Sequence, residues 1–223
     1  MVNKIVTHKN NNLDFLEIYS HISKMFPDAR CELNYRNIFE LVISTVLSAQ
    51  TTDDSVNKIS PKLFEKYPDA YALANANIND VKEIIKSIGL YQNKSRNIIN
   101  LSKALVDDYD GIVPNDFDKL VTLPGIGRKT ANVVLSEGFK IPRIAVDTHV
   151  IRVSNRLNII ESDNPLEIEK RLMEIYPENS WSDVHLKLLF FGRYFCKSKK
   201  PNCDKCFNYN NCKYDKKFTS NSI

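Results

Sequence analysis

Apolar residues recur at helical spacing through most of the chain, and this periodicity limits the fold more than any other feature. The first periodic segment places Leu13, Leu16, Tyr19 and Ile22 three or four positions apart and stops at Pro27. The chain has no sustained alternating run, and no Asn-Gly or Asp-Gly turn joins two β-rich segments. The sequence therefore predicts an all-α protein of roughly ten helices.

The individual helices follow from the same pattern. Residues 38–47 are apolar on nearly all sides, which predicts a central, buried helix. Asn79 or Asp80 is expected to start a later helix, because both are good N-cap residues. Short helices are expected on both sides of Pro124. The remaining helices are predicted at about residues 93–108, 145–157, 164–176 and 181–195.

Composition and charge narrow the class of protein further. The 223 residues are 43% hydrophobic and 26% charged, which excludes a disordered chain, a collagen and a disulfide-stabilised miniprotein. A net charge of +4 permits a polyanionic partner without requiring one. No stretch is apolar enough to span a membrane, and residues 1–12 lack the apolar core of a signal peptide. We expect an intracellular protein with no membrane association.

Four of the five cysteines lie within 17 residues, in the pattern C-x6-C-x2-C-x5-C. They occur in a segment, residues 193–217, that is poor in apolar residues and carries eight basic residues against two acidic ones. Four thiolates on short loops suit either tetrahedral zinc or an iron–sulfur cluster, and the spacing alone leaves both open. Disulfides and a redox-active pair are disfavoured, because the chain lacks a secretion signal and a βαβ pattern. The isolated fifth cysteine is expected to be a small buried hydrophobe. The four are Cys196, Cys203, Cys206 and Cys212.

A tight turn between two short helices forms a hairpin over residues 120–134. Gly125 and Gly127 let backbone approach backbone, or a ligand, closely. Free N–H groups at the start of the second helix favour an anion, and Arg128 and Lys129 stand there. The pattern indicates binding to a DNA or RNA backbone without base readout. The alternative is an ordinary helical corner with basic surface residues.

The chain resembles the endonuclease III family of DNA glycosylases, within the helix-hairpin-helix superfamily. The resemblance extends from about residue 13 to residue 215 and rests on a set of motifs in the family's order. These motifs are LVISTVLSAQTTD at 41–53, IGLYQNKSRNI at 88–98, LPGIGRKTANVV at 123–134, AVDTHVIRVSNR at 145–156 and the four-cysteine pattern.

The resemblance implies an all-α fold of two helical lobes with a DNA cleft between them. One lobe, residues 31–141, would be a six-helix barrel that contains the hairpin. The other, residues 1–30 with 142–223, would carry a 4Fe-4S cluster on Cys196, Cys203, Cys206 and Cys212.

The same resemblance implies an enzyme of DNA base excision repair. It would release oxidised pyrimidines from double-stranded DNA and cut the strand on the 3′ side of abasic sites by β-elimination, through a lysine Schiff base. Its partner would be duplex DNA that contains damaged pyrimidines or abasic sites. We expect a cytoplasmic monomer, associated with the nucleoid if the cell is bacterial.

The resemblance assigns catalysis to Lys129 as the nucleophile and to Asp147 as the essential carboxylate. A lysine amine attacks only when it is neutral, and we expect the helix start, Arg128 and partial burial to favour that form. From sequence alone, Lys129 also fits a phosphate contact, and Asp147 also fits a helix N-cap.

The resemblance places two other residues on DNA. Gln50 and Leu90 would fill the space that a flipped base leaves. Their alternatives are a helix-end hydrogen bond for Gln50 and a helix-capping contact for Leu90. Lys199 and Lys200, in the basic loop between the first two clustered cysteines, are expected to contact phosphates.

Two rival functions fit parts of the pattern. An adenine-mismatch glycosylase shares the hairpin and the cysteines, but that branch typically lacks the hairpin lysine and carries a further C-terminal domain. Here Lys129 is present, and only 11 residues follow Cys212. A non-catalytic DNA-binding scaffold with structural zinc would not need both Lys129 and Asp147.

Overall fold

The computed structural model describes residues 11–215, with side chains from residue 15 onward. Within that range the chain forms eleven α-helices and no β-strand, which confirms the all-α prediction. The helices are α1 Asn11–Met25, α2 Ile38–Leu47, α3 Asp53–Lys66, α4 Ala70–Ala74, α5 Ile78–Ile85, α6 Tyr91–Tyr109, α7 Phe117–Thr122, α8 Arg128–Val133, α9 Thr148–Arg156, α10 Pro165–Ile175 and α11 Trp181–Phe190. Shorter segments are the π-helical turns Val134–Gly138 and Phe191–Phe195 and the 3₁₀ turns Glu178–Ser180 and Cys203–Lys205.

Helix α5 begins earlier than the sequence predicts. The Asn77 side chain accepts a hydrogen bond from the Asn79 N–H, so Asn77 is the N-cap, and the choice of Asn79 or Asp80 was wrong. The helix ends at Ile85, because the chain turns there before Leu90 starts α6. Asn and Asp cap helices about equally well, so three such residues within four positions leave the start ambiguous in sequence.

Helices α2–α8 belong to one compact unit, Cys31–Ala145. Every residue from Phe39 to Leu47 is buried, and α3, α6 and α8 pack against α2, which confirms the predicted central helix. Burial of each leucine or isoleucine side chain stabilises the fold by about 1.5–3 kcal/mol. Helix α2 therefore holds the start of the turn that follows it in a fixed position. The fully buried side chains around α2 include Leu63, Leu73, Ile85, Leu101, Leu105 and Leu120.

The second compact unit joins α1 to α9–α11 and the segment that follows them. Lys187 in α11 is buried, and its ammonium donates to the carbonyls of Phe26 and Pro27 at 2.6 and 2.9 Å. The Tyr176 hydroxyl donates to the Phe15 carbonyl at 3.0 Å. These bonds hold the N-terminal helix to helices that lie about 160 positions later in sequence.

A glycine allows α9 and the second π-helical turn to pack closely. A Cβ atom at Gly192 would lie 2.9 Å from His149 Cβ and 3.0 Å from Val153 Cγ2, closer than side chains tolerate. The π-helical turn ends with the Cys196 N–H donating to the Phe191 carbonyl at 2.7 Å. π-Helical turns are frequent at functional sites, and this one delivers the first clustered cysteine.

None of the described helices is both long and apolar enough to cross a membrane. Residues 1–10, which include most of the segment predicted not to be a signal peptide, lie outside the described residues.

Candidate functional site

The predicted hairpin is present as α7, the turn at residues 124–127, and α8. Gly125 has a left-handed φ of 80°, and a Cβ there would lie 3.2 Å from Asn97 Cβ and 3.4 Å from Val46 Cγ1. Gly127 has an ordinary φ of −97°, and a Cβ there would meet no atom within 4 Å. Gly125 is thus required for the turn and its packing, whereas Gly127 is open to solvent.

The start of α8 presents free backbone N–H groups. Its N-cap residue is Gly127, which offers no side chain to accept a hydrogen bond from them. Such N–H groups carry partial positive charge and suit an anion. The Arg128 guanidinium stacks on the Phe117 ring at 4.9 Å, so this cation lies beside the same turn.

Lys129 lies in the first turn of α8 with its side chain exposed. The partial burial that the sequence led us to expect was wrong, because the short helix places this residue on its solvent side. No carboxylate among the described residues forms an ion pair with the Lys129 amine. An exposed amine without a salt-bridge partner is accessible to a sugar–phosphate backbone, which is the ligand that the hairpin suits.

Asp147 is the N-cap of α9, in the second compact unit. Its Oδ1 atom accepts hydrogen bonds from the N–H groups of His149 at 2.8 Å and Val150 at 2.9 Å. The capping alternative is therefore confirmed. Within the described part of the chain, Oδ2 accepts no hydrogen bond, so one oxygen is fixed while the other stays available. Capping orients the half-buried carboxylate without using all of it.

Gln50 and Leu90 share a left-handed backbone conformation that residues other than glycine rarely adopt. Their φ angles are 55° and 58°, and both side chains are exposed, Leu90 by 56%. Neither alternative from the sequence is present: among the described residues Gln50 forms no side-chain hydrogen bond, and the Leu90 side chain is too exposed to be a capping contact. Non-glycine residues in this region cost about 1–3 kcal/mol and cluster at functional sites.

The four clustered cysteines line one cavity in the second unit. Phe191, Tyr209 and Tyr214 line it as well. All of these cysteines are free thiols, and burial raises the pKa of Cys206 to about 11. Cys31 lies in the other unit, where it packs against the hydrophobic core but is half-buried rather than buried as expected.

Two of the four sulfurs that line this cavity accept hydrogen bonds. Among the described residues, no three His, Cys, Asp or Glu side chains are placed to bind one metal ion, although four sulfurs face the same space. Two N–H donors point at those sulfurs: Arg156 at Cys196 Sγ, 3.5 Å, and the Tyr214 backbone at Cys212 Sγ, 3.4 Å. Hydrogen bonds to sulfur are a common way of tuning iron–sulfur clusters.

Arg156 is a part of this site that the sequence analysis missed. Besides Cys196 Sγ it donates to the carbonyls of Lys197 and Ser198, and its guanidinium lies 3.7 Å from the Tyr214 ring centre. Arg156 ends the motif at residues 145–156, but nothing in the sequence indicates that it contacts the cysteines.

The loop that carries Lys199 and Lys200 is exposed, and Lys200 has a left-handed φ of 49°. Neither lysine forms an ion pair with the described residues, so both charges face solvent. Lys213, farther along the segment, pairs with Glu161 at 3.3 Å. Lys216 and Lys217 lie outside the described residues.

Comparison with known proteins gives consistent results. Residues 43–178 match the family described as HhH-GPD superfamily base excision DNA repair protein. Endonuclease III of Bacillus subtilis (strain 168) is 52% identical over 186 residues, covering 83% of this chain and 85% of the relative. Endonuclease III of Escherichia coli (strain K12) is 41% identical over 207 residues, covering 93% and 98%.

A solved structure described as a trapped endonuclease III–DNA covalent intermediate, an estranged-adenine complex, has a TM-score of 0.89 and 48% identity. It covers 92% of this chain, and this chain covers 97% of it. The hairpin, the four cysteines and these similarities together show that the chain belongs to the endonuclease III family of the HhH-GPD base excision repair superfamily.

Proposed function

We propose that this chain is a DNA glycosylase and abasic-site lyase of base excision repair. It removes oxidised pyrimidines from double-stranded DNA and cuts the strand on the 3′ side of the resulting abasic site. The observation that carries the proposal is the exposed Lys129 amine, without an ion pair among the described residues, at the uncapped start of the hairpin's second helix. The similarity to an endonuclease III captured as a covalent DNA intermediate supports the same chemistry.

The hairpin binds the DNA backbone in this proposal. The free N–H groups after Gly127 and the Arg128 guanidinium neutralise phosphate without reading bases. A damaged base must leave the helical stack before any side chain reaches its sugar, and unstacking costs a few kcal/mol. Gln50 and Leu90 fill the vacated space, and their exposed, left-handed positions support this role.

Lys129 performs the covalent steps. Its neutral amine attacks C1′ of the sugar, an N–C bond forms, and the bond from C1′ to the base breaks. The C1′–O4′ bond of the resulting aminal then breaks as O4′ takes a proton, and the open-chain imine acidifies the C2′ proton. Loss of that proton expels the 3′ phosphate by β-elimination, and water then hydrolyses the imine and frees the lysine.

Asp147 assists these steps as a carboxylate. Positive charge develops on the sugar as the base leaves, and a fixed negative group lowers the energy of that state. The two capping bonds to Oδ1 hold the carboxylate in place, and Oδ2 is the oxygen left for the sugar or for the proton that Lys129 loses.

We propose a 4Fe-4S cluster as the cofactor, held by Cys196, Cys203, Cys206 and Cys212. The common cavity of these cysteines and the N–H donors directed at two of the sulfurs fit this group, and the resemblance to the endonuclease III family favours it over zinc. When bound, the cluster supplies ordering free energy to a segment that is poor in apolar residues. Residues 1–30 with 142–223 would then form the cluster domain and residues 31–141 the hairpin domain.

Because the substrate is genomic DNA, we propose the cytoplasm as the location, with association to the nucleoid if the cell is bacterial.

Borohydride trapping tests the proposed function. Purified chain and a duplex oligonucleotide with thymine glycol or an abasic site should form a covalent complex, since borohydride reduces the imine. We expect Lys129→Ala to abolish the complex and Lys119→Ala, an exposed lysine in α7 of the same hairpin, to retain it. Trapping of Lys129→Ala to the wild-type extent would contradict the assignment. Visible absorption of the same preparation reports the cluster, and a colourless protein would contradict the cofactor.

A further inference from the structure

Lys94 is a buried lysine without a role in the chemistry above. It lies in the first turn of α6, it is only 4% exposed, and burial lowers its pKa. Its ammonium donates to the Thr51 hydroxyl at 2.5 Å, and no carboxylate among the described residues pairs with it. A buried ammonium is costly and is retained where its donor is needed.

The two ends of Lys94 contact two separate turns. Its backbone N–H donates to the Leu90 carbonyl at 3.0 Å, and its side chain reaches Thr51, the residue after Gln50. Leu90 and Gln50 are the two exposed residues with left-handed φ that we place in the DNA. One residue therefore connects the turn before α3 to the turn before α6, across 43 positions of sequence.

Strained backbone conformations persist only where the surrounding structure holds them. The Gln50 turn has backbone support from the Thr51 N–H, which donates to the Ser48 carbonyl at 3.0 Å. That bond is local to the turn and does not fix its distance from Leu90. The ammonium–hydroxyl bond from Lys94 is a side-chain link that joins the two turns, and hydrogen bonds from a charged donor are the stronger kind.

We propose that Lys94 is a positioning residue that holds Gln50 and Leu90 at a fixed separation, so that both enter the gap left by the flipped nucleotide. This inference rests on the proposed function. Lys94 itself touches neither the sugar nor the base, because it is buried and its ammonium is engaged by Thr51. If Lys94 has this role, its loss should slow only the steps in which a nucleotide is flipped out of the duplex.

The experiment compares two substrates. Excision of thymine glycol from duplex DNA requires base flipping, whereas strand cutting at an abasic site in single-stranded DNA does not. Lys94→Met keeps the length of the side chain and removes the donor. We expect it to slow duplex excision about tenfold or more, since a small misplacement of a positioning group is that costly. Cutting of the single-stranded abasic substrate should stay within about twofold of wild type, the range of a benign substitution.

Three further variants separate positioning from a general effect on folding. Thr51→Val removes the acceptor and should reproduce the defect in duplex excision. Thr51→Ser keeps the hydroxyl and should excise thymine glycol from duplex DNA at the wild-type rate. Lys103→Met changes an exposed lysine of the same helix and should behave as wild type. The double variant Lys94→Met/Thr51→Val should be no slower than Lys94→Met alone, since both remove one bond.

Each outcome decides the question. Equal losses on both substrates, or no loss on either, would overturn the role of Lys94 while the proposed function stands. If the wild-type chain cuts neither substrate, the proposed function fails and the positioning role fails with it. If Lys94→Met does not fold, the Thr51 pair gives the same test, because Thr51 is only half-buried and valine has a similar size.

Discussion

At the residue scale, a substitution can separate the helix cap at Asp147 from the catalytic role proposed for it. Asparagine caps helices about as well as aspartate, whereas alanine loses the cap at a cost of about 1 kcal/mol. We expect Asp147→Asn to keep the free energy of unfolding within about 0.5 kcal/mol of wild type and to lose most base excision. Asp147→Ala should lose both excision and stability.

Chemical denaturation together with borohydride trapping measures the two effects. An Asp147→Asn protein that excises at the wild-type rate would show that the carboxylate serves only as a cap.

Glu137, in the first π-helical turn, gives a pH-dependent prediction. Burial raises the pKa of its carboxyl, and the exposed Lys140 at 3.8 Å opposes this only in part. The folded chain therefore binds this proton more tightly than the unfolded chain, and the buried carboxylate costs stability above the raised pKa. That cost disappears as the pH falls through the raised pKa to the usual value of 4.5.

We expect Glu137→Gln to be more stable than wild type at pH 7 and equally stable below about pH 4.5. Urea denaturation at both pH values checks this. Glu83→Gln, which changes an exposed carboxylate in α5, is the control and should shift stability little at either pH. A Glu137→Gln protein that is less stable at pH 7 would show that the Lys140 pair outweighs burial.

At the scale of elements, the hairpin depends on its two glycines in different ways. An alanine at Gly125 must take a φ near 80° and move Asn97 or Val46, so we expect Gly125→Ala to cost about 1–3 kcal/mol. Gly127→Ala meets no atom and keeps an ordinary φ, so it should cost less than about 1 kcal/mol.

Thermal unfolding of both variants measures the difference. A Gly127→Ala protein as destabilised as Gly125→Ala would contradict the distinction. DNA affinity gives the second readout, because a methyl group beside the free N–H groups of α8 should weaken phosphate binding even though the fold is intact.

The sequence predicts some elements well for physical reasons. The helix at residues 38–47 is recovered to the residue, since it is apolar on all sides and bounded by polar Asn37 and Ser48. The π-helical turns were not predicted, because five residues with a slightly wider period cannot be distinguished from α-helix by apolar spacing. The left-handed positions of Gln50 and Leu90 carry no compositional signal, since glycine is the usual residue there.

At the scale of the whole molecule, sequence and structure contribute different parts of the site. The family resemblance points to Lys129 and Asp147, and the spacing groups the four cysteines. Exposure of Lys129 and the Arg156 contacts with Cys196 depend on packing between segments distant in sequence, and local pattern does not report such packing. Lys94 was missed for the same reason, since its partner Thr51 is 43 positions away.

The basic loop at residues 197–200 gives a prediction about the complex with DNA. Arg156 holds this loop by its contacts with the carbonyls of Lys197 and Ser198, so the exposed charges of Lys199 and Lys200 stand on a fixed backbone. If both contact phosphates, each contributes about 0.9 to the slope of log affinity against log salt concentration. We expect Lys199→Ala/Lys200→Ala to weaken binding to damaged and undamaged duplexes alike and to reduce that slope by about 1.8. Affinity measured over a range of salt concentrations gives the slope directly, with Lys170→Ala, an exposed lysine of α10, as the control. An unchanged slope with an altered preference for one lesion would instead place these lysines at the base, where uniform electrostatic attraction does not explain their effect.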